Sequence, residues 1–297
     1  MPKRGINPLV LVWLLVSSTI NDMKTNPFRY GALLLLFIGI HALAGENAGE
    51  LAIGETFTLH SEQLEEERRI NVFQPTVYGE AVATPLPVLY MLDGGIDEDF
   101  LHIAGLLQVF VSNGSVRPLL LVGIENTERR RDMTGPSDDP QDQAIAEHIG
   151  GAAAFRSFLR DELIETIESR YDVTPERAII GESLAGLFVV ETLANEPGLF
   201  DTYIAVDPSV WWNQYDLTGR IAQSLQQESA AERRLFVAAS EEASSAERFQ
   251  AFIVQVEQAS SRMTFEYAPM PQESHATLFH PAAMKAFRTM FSASAED

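Results

Sequence analysis

The sequence predicts an α/β fold with a mostly parallel central sheet, an N-terminal antiparallel hairpin and helices on both faces of the sheet. Three observations support this prediction. Short runs rich in Val, Ile and Leu recur along the chain, runs with helical periodicity separate them, and neither a repeat nor a low-complexity linker divides the chain after residue 45. Continuous apolar runs are typical of strands buried on both faces, and their alternation with helices indicates parallel crossover connections.

Eight strands are predicted, and the first two form a hairpin around a Glu-rich turn. In chain order they are Thr56–His60, Arg69–Phe73, Val88–Leu92, Leu119–Ile124, Ala178–Ile180, Tyr203–Val206, Leu235–Ala239 and Phe265–Ala268. Apolar and aromatic residues recur at every fourth position from Phe155 to Tyr171, which predicts an amphipathic helix. Leu184–Asn195 and Ala282–Phe291 are also predicted helices. Asn126–Gly151, rich in Arg, Asp, Pro and Gly, is predicted to be a long loop at the ligand-binding edge of the sheet, and its length makes it the candidate lid.

Charge and composition exclude several classes of function. The 297-residue chain carries 42 Asp and Glu against 21 Lys and Arg, a formal net charge of −21, and no Cys. The negative charge argues against nucleic-acid binding and against docking on anionic membranes, because phosphate groups would be repelled. The absence of cysteine excludes disulfides, a thiol nucleophile and thiolate metal sites. No His-Glu-x-x-His motif and no His pair at ligand spacing occurs, so neither a metal nor another cofactor is predicted.

The first 44 residues are predicted to be a signal region. A basic head after Met23 precedes an apolar centre of about fifteen residues, and the small residues up to Ala44 match a cleavage site. Met23 is therefore the predicted true start, with residues 1–22 an upstream extension, and cleavage is expected after Ala44. An uncleaved membrane anchor is the alternative. We expect export to a bacterial periplasm, since an exported chain without cysteine is unlike disulfide-stapled eukaryotic secreted domains, and no membrane contact after signal removal.

Ser183 is the candidate nucleophile. The segment from Arg177 to Gly186 has the pattern of a strand, a tight turn and a helix, which is the context of a nucleophile elbow that exposes the serine oxygen. Small residues are needed two positions before and after the serine because strand and helix approach closely there. Gly181 meets the first requirement, and Ala185 replaces the usual second glycine. The alternative is a serine that only caps the helix N-terminus.

A serine nucleophile needs a base and, usually, an acid that orients the base. In the chain order Ser, acid, His, the base is a late histidine. His275, in the polar turn after the last predicted strand, is preferred to His280, which lies at the start of the last helix. The acid is expected after the penultimate strand, where Glu242 is preferred to Glu241. Asp207, after the preceding strand, and a dyad without an acid are the alternatives.

Two backbone N–H groups are candidates for an oxyanion hole, which a tetrahedral intermediate requires. One is the N–H of Leu184, directly after the nucleophile. The other is the N–H of Gly95, since the Asp93-Gly94-Gly95 turn lets the backbone approach a ligand closely. The alternative for the second is an ordinary turn with two glycines.

Several linked motifs resemble one known family. They are Leu92-Asp93-Gly94-Gly95, Gly123–Thr127 with Arg129–Thr134, the elbow Gly181–Gly186, Asp207–Asn213 and the His275 turn. Together they resemble the esterase family that contains esterase D and the enterochelin and related siderophore esterases. The resemblance implies an α/β-hydrolase fold, with residues 45–297 as a single α/β-hydrolase catalytic domain. It also implies Ser183 and His275 as nucleophile and base, and Leu184 with the glycine after Asp93-Gly94 as oxyanion donors.

The resemblance bears on the substrate as well. Siderophore esterases hold anionic catecholates with basic residues, a role that Arg129 and Arg131 could fill here, and Trp211 and Trp212 could stack on aromatic rings. The alternatives are structural salt bridges for the two arginines and a core contact for the two tryptophans.

The expected function is therefore that of a serine carboxylic-ester hydrolase acting through an acyl-enzyme. The expected substrate is a small-molecule ester, of a siderophore or of another acid. An acyltransferase or a peptidase on the same scaffold is one alternative, and a catalytically silent binding protein is another. The oligomeric state does not follow from the sequence.

Overall fold

One eight-stranded sheet forms the centre of the described chain. The structure is a computed structural model, and it describes residues 51–226, 232–260 and 262–293. The strands are β1 Glu55–Ser61, β2 Glu66–Phe73, β3 Thr76–Val77, β4 Glu80–Ala81, β5 Leu86–Met91, β6 Leu120–Ile124, β7 Val173–Glu182, β8 Thr202–Val206, β9 Arg234–Ala239 and β10 Thr264–Pro269. Across the sheet their order is β1-β2-β6-β5-β7-β8-β9-β10, while β3 and β4 form a separate ribbon. All lie in the compact unit that begins at Ile53.

In the large sheet β2 alone runs opposite to the other strands. β1 pairs with β2 and β2 with β6 in antiparallel register, and every other neighbouring pair in the large sheet is parallel. The predicted mostly parallel sheet with an N-terminal hairpin is thus confirmed. The strand predicted at Ala178–Ile180 is much longer, because polar residues such as Thr174 and Glu176 at its start hide it from an apolar pattern.

Helices lie in the connections between the parallel strands. They are α1 Phe100–Ser112, α2 Arg129–Asp132, α3 Pro140–Gln143, α4 Ala152–Phe158, a π-helical turn Leu159–Leu163, α5 Ile164–Arg170, α6 Leu184–Asn195, α7 Trp212–Leu225, α8 Glu241–Ser245, α9 Glu247–Ala259 and α10 Phe279–Met290. The three predicted helices are present, the first divided by the π-helical turn. The predicted loop 126–151 contains α2 and α3. The sequence analysis did not predict α1, α7 or α9; α1 is apolar nearly all round, so its sequence shows little contrast between faces.

The core lies in two layers, one on each face of the sheet. Along β5, Val88 and Tyr90 pack into one layer while Leu89 and Met91 pack into the other, as the two-residue period of a strand requires. Side chains of α4 to α7 and α9 complete the first layer, and those of α1 and α10 complete the second. Burial on both faces explains why the central strands are continuously apolar.

The predicted signal region 1–44, with its start at Met23 and its cleavage after Ala44, lies outside the described residues. Within the part of the chain that is described, no helix combines the length and the apolar character needed to cross a bilayer.

Candidate active site

Ser183 occupies a strained turn at the carboxyl end of β7. The strand ends at Glu182 and α6 begins at Leu184, so a single residue with φ 61° and ψ −119° makes the whole turn. This backbone conformation is unfavourable for a residue with a side chain, and it persists only where the surroundings hold it. The N–H of Ser183 donates to the carbonyl of Val206 at 2.9 Å, and its own carbonyl accepts from the N–H of Leu187 at 2.9 Å and of Ser209 at 3.0 Å. The predicted strand–turn–helix context is therefore present.

The close approach of strand and helix falls on Gly181 and Gly186. A Cβ on Gly181 would lie 2.7 Å from the backbone of Ala185, and a Cβ on Gly186 would lie 2.9 Å from the carbonyl oxygen of Val206. The close approaches thus fall on Gly181 and Gly186, and these are the two residues that must lack a side chain. The elbow therefore tolerates Ala185 where a glycine is usual.

His275 and Asp207 form a hydrogen-bonded pair. The imidazole Nδ1 lies 2.7 Å from Asp207 Oδ2, while Asp207 Oδ1 accepts from the backbone N–H of Ser240 at 2.9 Å. Asp207 follows β8 directly, and His275 lies in the turn after β10. With Nδ1 donating to the carboxylate, Nε2 is the nitrogen that can accept a proton.

The pair is electrostatically matched. The hydrogen bond to Asp207 raises the pKa of His275 against the opposing effect of burial, and Glu182 and Glu242 add to the rise through their charge. Burial alone would raise the pKa of Asp207, but the hydrogen bonds from His275 and Ser240 outweigh it and lower that pKa. The arrangement thus holds a carboxylate beside an imidazole whose protonated form is stabilised.

The imidazole is paired with Asp207, the alternative acid, and not with the preferred Glu242. Glu242 Oε2 accepts instead from the backbone N–H of His275 at 3.3 Å. Glu241 is exposed, and its backbone N–H donates to the carbonyl of Glu273. β8 and β9 end at the same edge of the sheet, so the place of each carboxylate along the chain does not decide between Asp207 and Glu242, and the identity of the acid stays a prediction.

A cavity of about 380 Å³ joins these groups. Ser183, Asp207 and His275 line it, together with Trp211 and Tyr215. Ser183 Oγ lies 3.4 Å from Ser209 Oγ, and within the described residues no hydrogen bond links Ser183 to His275. Catalytic hydrogen bonds are often long before substrate binds. His280, the alternative base, lies in α10 and contacts His102 at 2.7 Å, and it does not line this cavity.

The two candidate oxyanion donors differ in their surroundings. Leu184 is the first residue of α6, so its N–H has no acceptor within the helix. The N–H of Gly95 donates instead to Glu98 Oε2 at 2.6 Å. Gly95 N–H is thus placed to bind an anionic oxygen, and here a carboxylate of the protein itself occupies it.

Glu182, next to the nucleophile, is an unexpected member of the site. Burial raises the pKa of its carboxyl to about 7, and although the charge of His275 lowers this pKa, the charges of Asp99, Asp207 and Asp93 raise it further. The sequence analysis missed Glu182, Glu98, Ser209 and Ser240. Ser240 and Asp207 are polar residues that come directly after buried strands, and this position in the sequence was the signal that could have identified Ser240 as part of the site.

The four residues proposed to bind substrate have different surroundings in the structure. Trp211 is 41% exposed and lines the cavity, whereas Trp212 is buried and donates from Nε1 to the carbonyl of Gly135 at 2.9 Å. Arg129 makes two hydrogen bonds to Asp93, at 2.6 and 2.8 Å. Arg131 binds Glu66 and Asp132 and does not line the cavity. Both arginines therefore have the structural salt bridges that the sequence analysis held as the alternative, and only Trp211 faces the site.

Among the described residues, no group of three or more His, Asp or Glu side chains is placed to hold a metal ion. That the protein needs no cofactor stays a prediction.

The chain is similar in sequence to curated siderophore esterases. Ferri-bacillibactin esterase BesA of Bacillus subtilis is 36% identical over 146 residues, which are 43% of this chain and 49% of the relative. A siderophore enterobactin esterase of Emericella nidulans is 33% identical over 96 residues, 29% of this chain and 31% of the relative. The chain thus spans about half or less of the length of the curated relatives it matches.

The fold also matches solved structures. An IroE-like serine hydrolase from Shewanella oneidensis superposes with a TM-score of 0.70 and 26% identity over 80% of each chain. The BES protein of Bacillus cereus gives a TM-score of 0.68 over 83% of this chain and 98% of the other, at 22% identity, and shows the fold alone. The sheet order and these neighbours confirm the predicted α/β-hydrolase fold. The model of the family described as "Putative esterase" matches residues 61–290, which include the elbow, the Asp207 turn and the His275 turn. This chain belongs to that esterase family.

Proposed function

We propose that the protein is a serine carboxylic-ester hydrolase that acts through an acyl-enzyme. One observation carries this proposal: Ser183, on its strained elbow, and His275 line the same cavity. His275 Nδ1 is hydrogen-bonded to Asp207. A serine needs a neighbouring base to become nucleophilic, and a base needs an acid that fixes its tautomer.

The geometry supports the following reaction. Ser183 Oγ attacks the ester carbonyl carbon while its proton passes to His275 Nε2, and Asp207 stabilises the imidazolium that forms. The oxyanion accepts from Leu184 N–H and, once Glu98 has withdrawn, from Gly95 N–H. The carbon–oxygen bond to the alcohol then breaks, and the alcohol leaves with the proton from His275. Water attacks the acyl-serine with His275 again as base, which releases the acid and restores Ser183.

The solvent exposure of the His275 side chain favours hydrolysis over acyl transfer. The His275 side chain is 52% exposed, so water reaches the nitrogen that must activate it. A transferase on this scaffold would need to exclude water from the acyl-enzyme.

The substrate proposed is a small-molecule ester, with siderophore esters the first class to test. Relatives named as siderophore esterases motivate this choice. The cavity volume of about 380 Å³ is that of a small-ligand site.

Loss of activity in a serine variant tests the reaction. We expect the full chain to hydrolyse p-nitrophenyl butyrate and Ser183→Ala to lose this activity. Ser209→Ala is the matched control, since its hydroxyl lies 3.4 Å from that of Ser183. A fluorophosphonate should label Ser183 and leave Ser209 unlabelled by mass spectrometry. Equal hydrolysis by the wild type and Ser183→Ala would contradict the proposal.

Export to a bacterial periplasm is proposed on the sequence of residues 23–44 alone. The test is N-terminal sequencing of the protein recovered from cell fractions, which should begin at Gly45. A protein that retains residues 23–44 in the membrane fraction would instead be anchored.

A further inference from the structure

Carboxylates line the cavity at Ser183, and none of the described residues that line it is Lys or Arg. The charged or titratable residues in this lining are Asp207, Glu242 and the base His275. The remainder of the lining is aromatic, small and apolar, or hydroxyl-bearing, as with Trp211 and Tyr215. An ester that enters therefore meets carboxylates beside the reacting atoms.

The nearby arginines do not supply the missing positive charge. Arg129 is held by both carboxylate oxygens of Asp93, and Arg131 by Glu66 and Asp132. Arg130 lines a separate cleft with its neighbours in the chain. Arg248 lies over the ring of Tyr215 at 5.1 Å, but it lines a different cavity.

Glu242 is the carboxylate whose charge remains available. Asp207 is committed to the imidazole and to Ser240. Glu242 is exposed, accepts only the 3.3 Å hydrogen bond from the His275 N–H, and forms no ion pair with any described residue. It therefore presents an uncompensated negative charge at the wall of the cavity, next to the base.

We propose that this site selects esters by charge, with Glu242 as the specificity-determining residue. Esters with an uncharged or cationic acyl group are accepted, and esters with an anionic group close to the scissile carbonyl are rejected. This inference rests on the proposed ester hydrolysis. Like charges a few ångströms apart repel even in water, and the face of an aromatic ring such as that of Trp211 attracts cations.

Three matched chromogenic esters test the proposal in low-salt buffer. They are the mono-p-nitrophenyl ester of adipic acid, its neutral methyl ester, and the p-nitrophenyl ester of trimethylammoniohexanoic acid. We expect kcat/KM for the neutral ester to exceed that for the anionic ester about tenfold, with the cationic ester at least as good as the neutral one. Molar salt should shrink the ratio, since the groups are solvent-accessible.

Variants assign the selection to one residue. Glu242→Gln should bring the neutral-to-anionic ratio to within about threefold, and Glu242→Lys should make the anionic ester the better substrate. Glu247→Gln removes an equal charge five residues along the chain from an exposed side chain that does not line the cavity, and should leave the ratio unchanged. Fluorophosphonate labelling identifies any variant that has not folded, and Glu242→Gln then carries the test if Glu242→Lys does not label.

The outcomes separate this inference from the proposed function. Equal kcat/KM for the neutral and anionic esters in the wild type, or an unchanged ratio in Glu242→Lys, would overturn the charge selection while leaving the esterase intact. Failure of all three esters, or hydrolysis that persists in Ser183→Ala, would overturn the proposed function itself.

Discussion

Two charged regions of this molecule handle their carboxylates in opposite ways. In the arginine cluster, formed by Glu66, Arg68, Thr127, Arg131 and Asp132, each carboxylate is hydrogen-bonded to at least one guanidinium. At the catalytic edge, formed by Glu182, Asp207, Glu242 and His275, three carboxylates surround one imidazole. The first region fixes the position of the segment that carries Arg129 to Asp132. The second leaves charge unbalanced around the group that must gain and lose a proton.

The two regions also shift pKa values in opposite directions. Burial alone would raise the pKa of Glu66, but hydrogen bonds from Arg131, Thr127 and Arg68 outweigh it and lower this pKa to about 2. Burial raises the pKa of Glu182 to about 7, and no arginine among the described residues donates to its carboxylate. The comparison teaches that burial and hydrogen-bond partners act together on the pKa of a carboxylate, and that guanidinium partners can reverse the effect of burial.

The largest expected effect is on activity at the catalytic edge. Asp207→Asn leaves the shape of the site but removes the charge that orients and stabilises the imidazolium. We expect kcat to fall by about 10⁴, with the melting temperature little changed. Steady-state kinetics on p-nitrophenyl butyrate measures this, and Glu242→Gln is the matched comparison. If Glu242→Gln lost as much kcat as Asp207→Asn, the assignment of Asp207 as the acid would be wrong.

The next effect is on stability in the arginine cluster. Arg68 and Asp132 are both fully buried, and Arg68 Nη1 lies 2.6 Å from Asp132 Oδ2. Asp132→Asn leaves the guanidinium with less compensation, and we expect a loss of about 3 kcal/mol in the free energy of unfolding. Urea denaturation measures this loss.

Asp216→Asn is the control for that measurement. It breaks the exposed i,i+4 pair with Arg220 and should change the free energy of unfolding by no more than about 0.5 kcal/mol. Equal losses in the two variants would show that burial does not distinguish these pairs.

A third effect concerns the carboxylate that occupies Gly95 N–H. Glu98 also accepts from Asn126 Nδ2 at 2.8 Å, so it is held in place from two sides. Glu98→Gln replaces a charge-assisted hydrogen bond by a neutral one, which is weaker by about 1 kcal/mol. If the oxyanion must displace this side chain, kcat/KM should rise about fivefold. A fall, or no change, would indicate that Gly95 is not an oxyanion donor or that Glu98 positions the loop.

The sequence predicted the parts of the site that depend on local pattern. The elbow at Ser183 follows from a strand, a tight turn and a helix with small flanking residues, and the structure shows why Gly181 and Gly186 are the glycines that matter. The mostly parallel sheet followed from the apolar runs. His275 was predicted as the base because a late polar turn after the last strand is a place where a base can be presented.

The acid could not be chosen from the sequence because it depends on three-dimensional placement. Asp207 and Glu242 both follow strands that end at the same sheet edge, and only the three-dimensional structure shows that Asp207 is the one hydrogen-bonded to the ring. Arg129 and Arg131 were equally ambiguous. Their partners Asp93 and Glu66 are more than thirty residues away in the chain, and no local pattern reveals such pairs.

The dependence of stability on pH compares the two regions most directly. The ordinary pKa of a glutamate is 4.5, and folding lowers that of Glu66 to about 2 but raises that of Glu182 to about 7. Glu66 therefore contributes stability that is present above pH 4.5 and is lost as the pH falls towards 2. Glu182 holds a proton in the folded state that the unfolded chain releases, so its contribution is complete below pH 4.5 and is lost as the pH rises through 7.

Glu66→Gln and Glu182→Gln should thus change the pH profile of unfolding in opposite senses. The Glu66 variant should lose part of the acid-induced decline in stability, and the Glu182 variant part of the decline between pH 4.5 and 7. Urea denaturation at several pH values measures both.

Glu182→Gln should also shift the acid limb of kcat/KM to lower pH, because the charge of Glu182 helps to raise the pKa of His275. Glu66→Gln should not move that limb, since Glu66 contributes nothing to the rise. If both variants moved the acid limb equally, the arginine cluster and the catalytic edge would be one electrostatic unit rather than two.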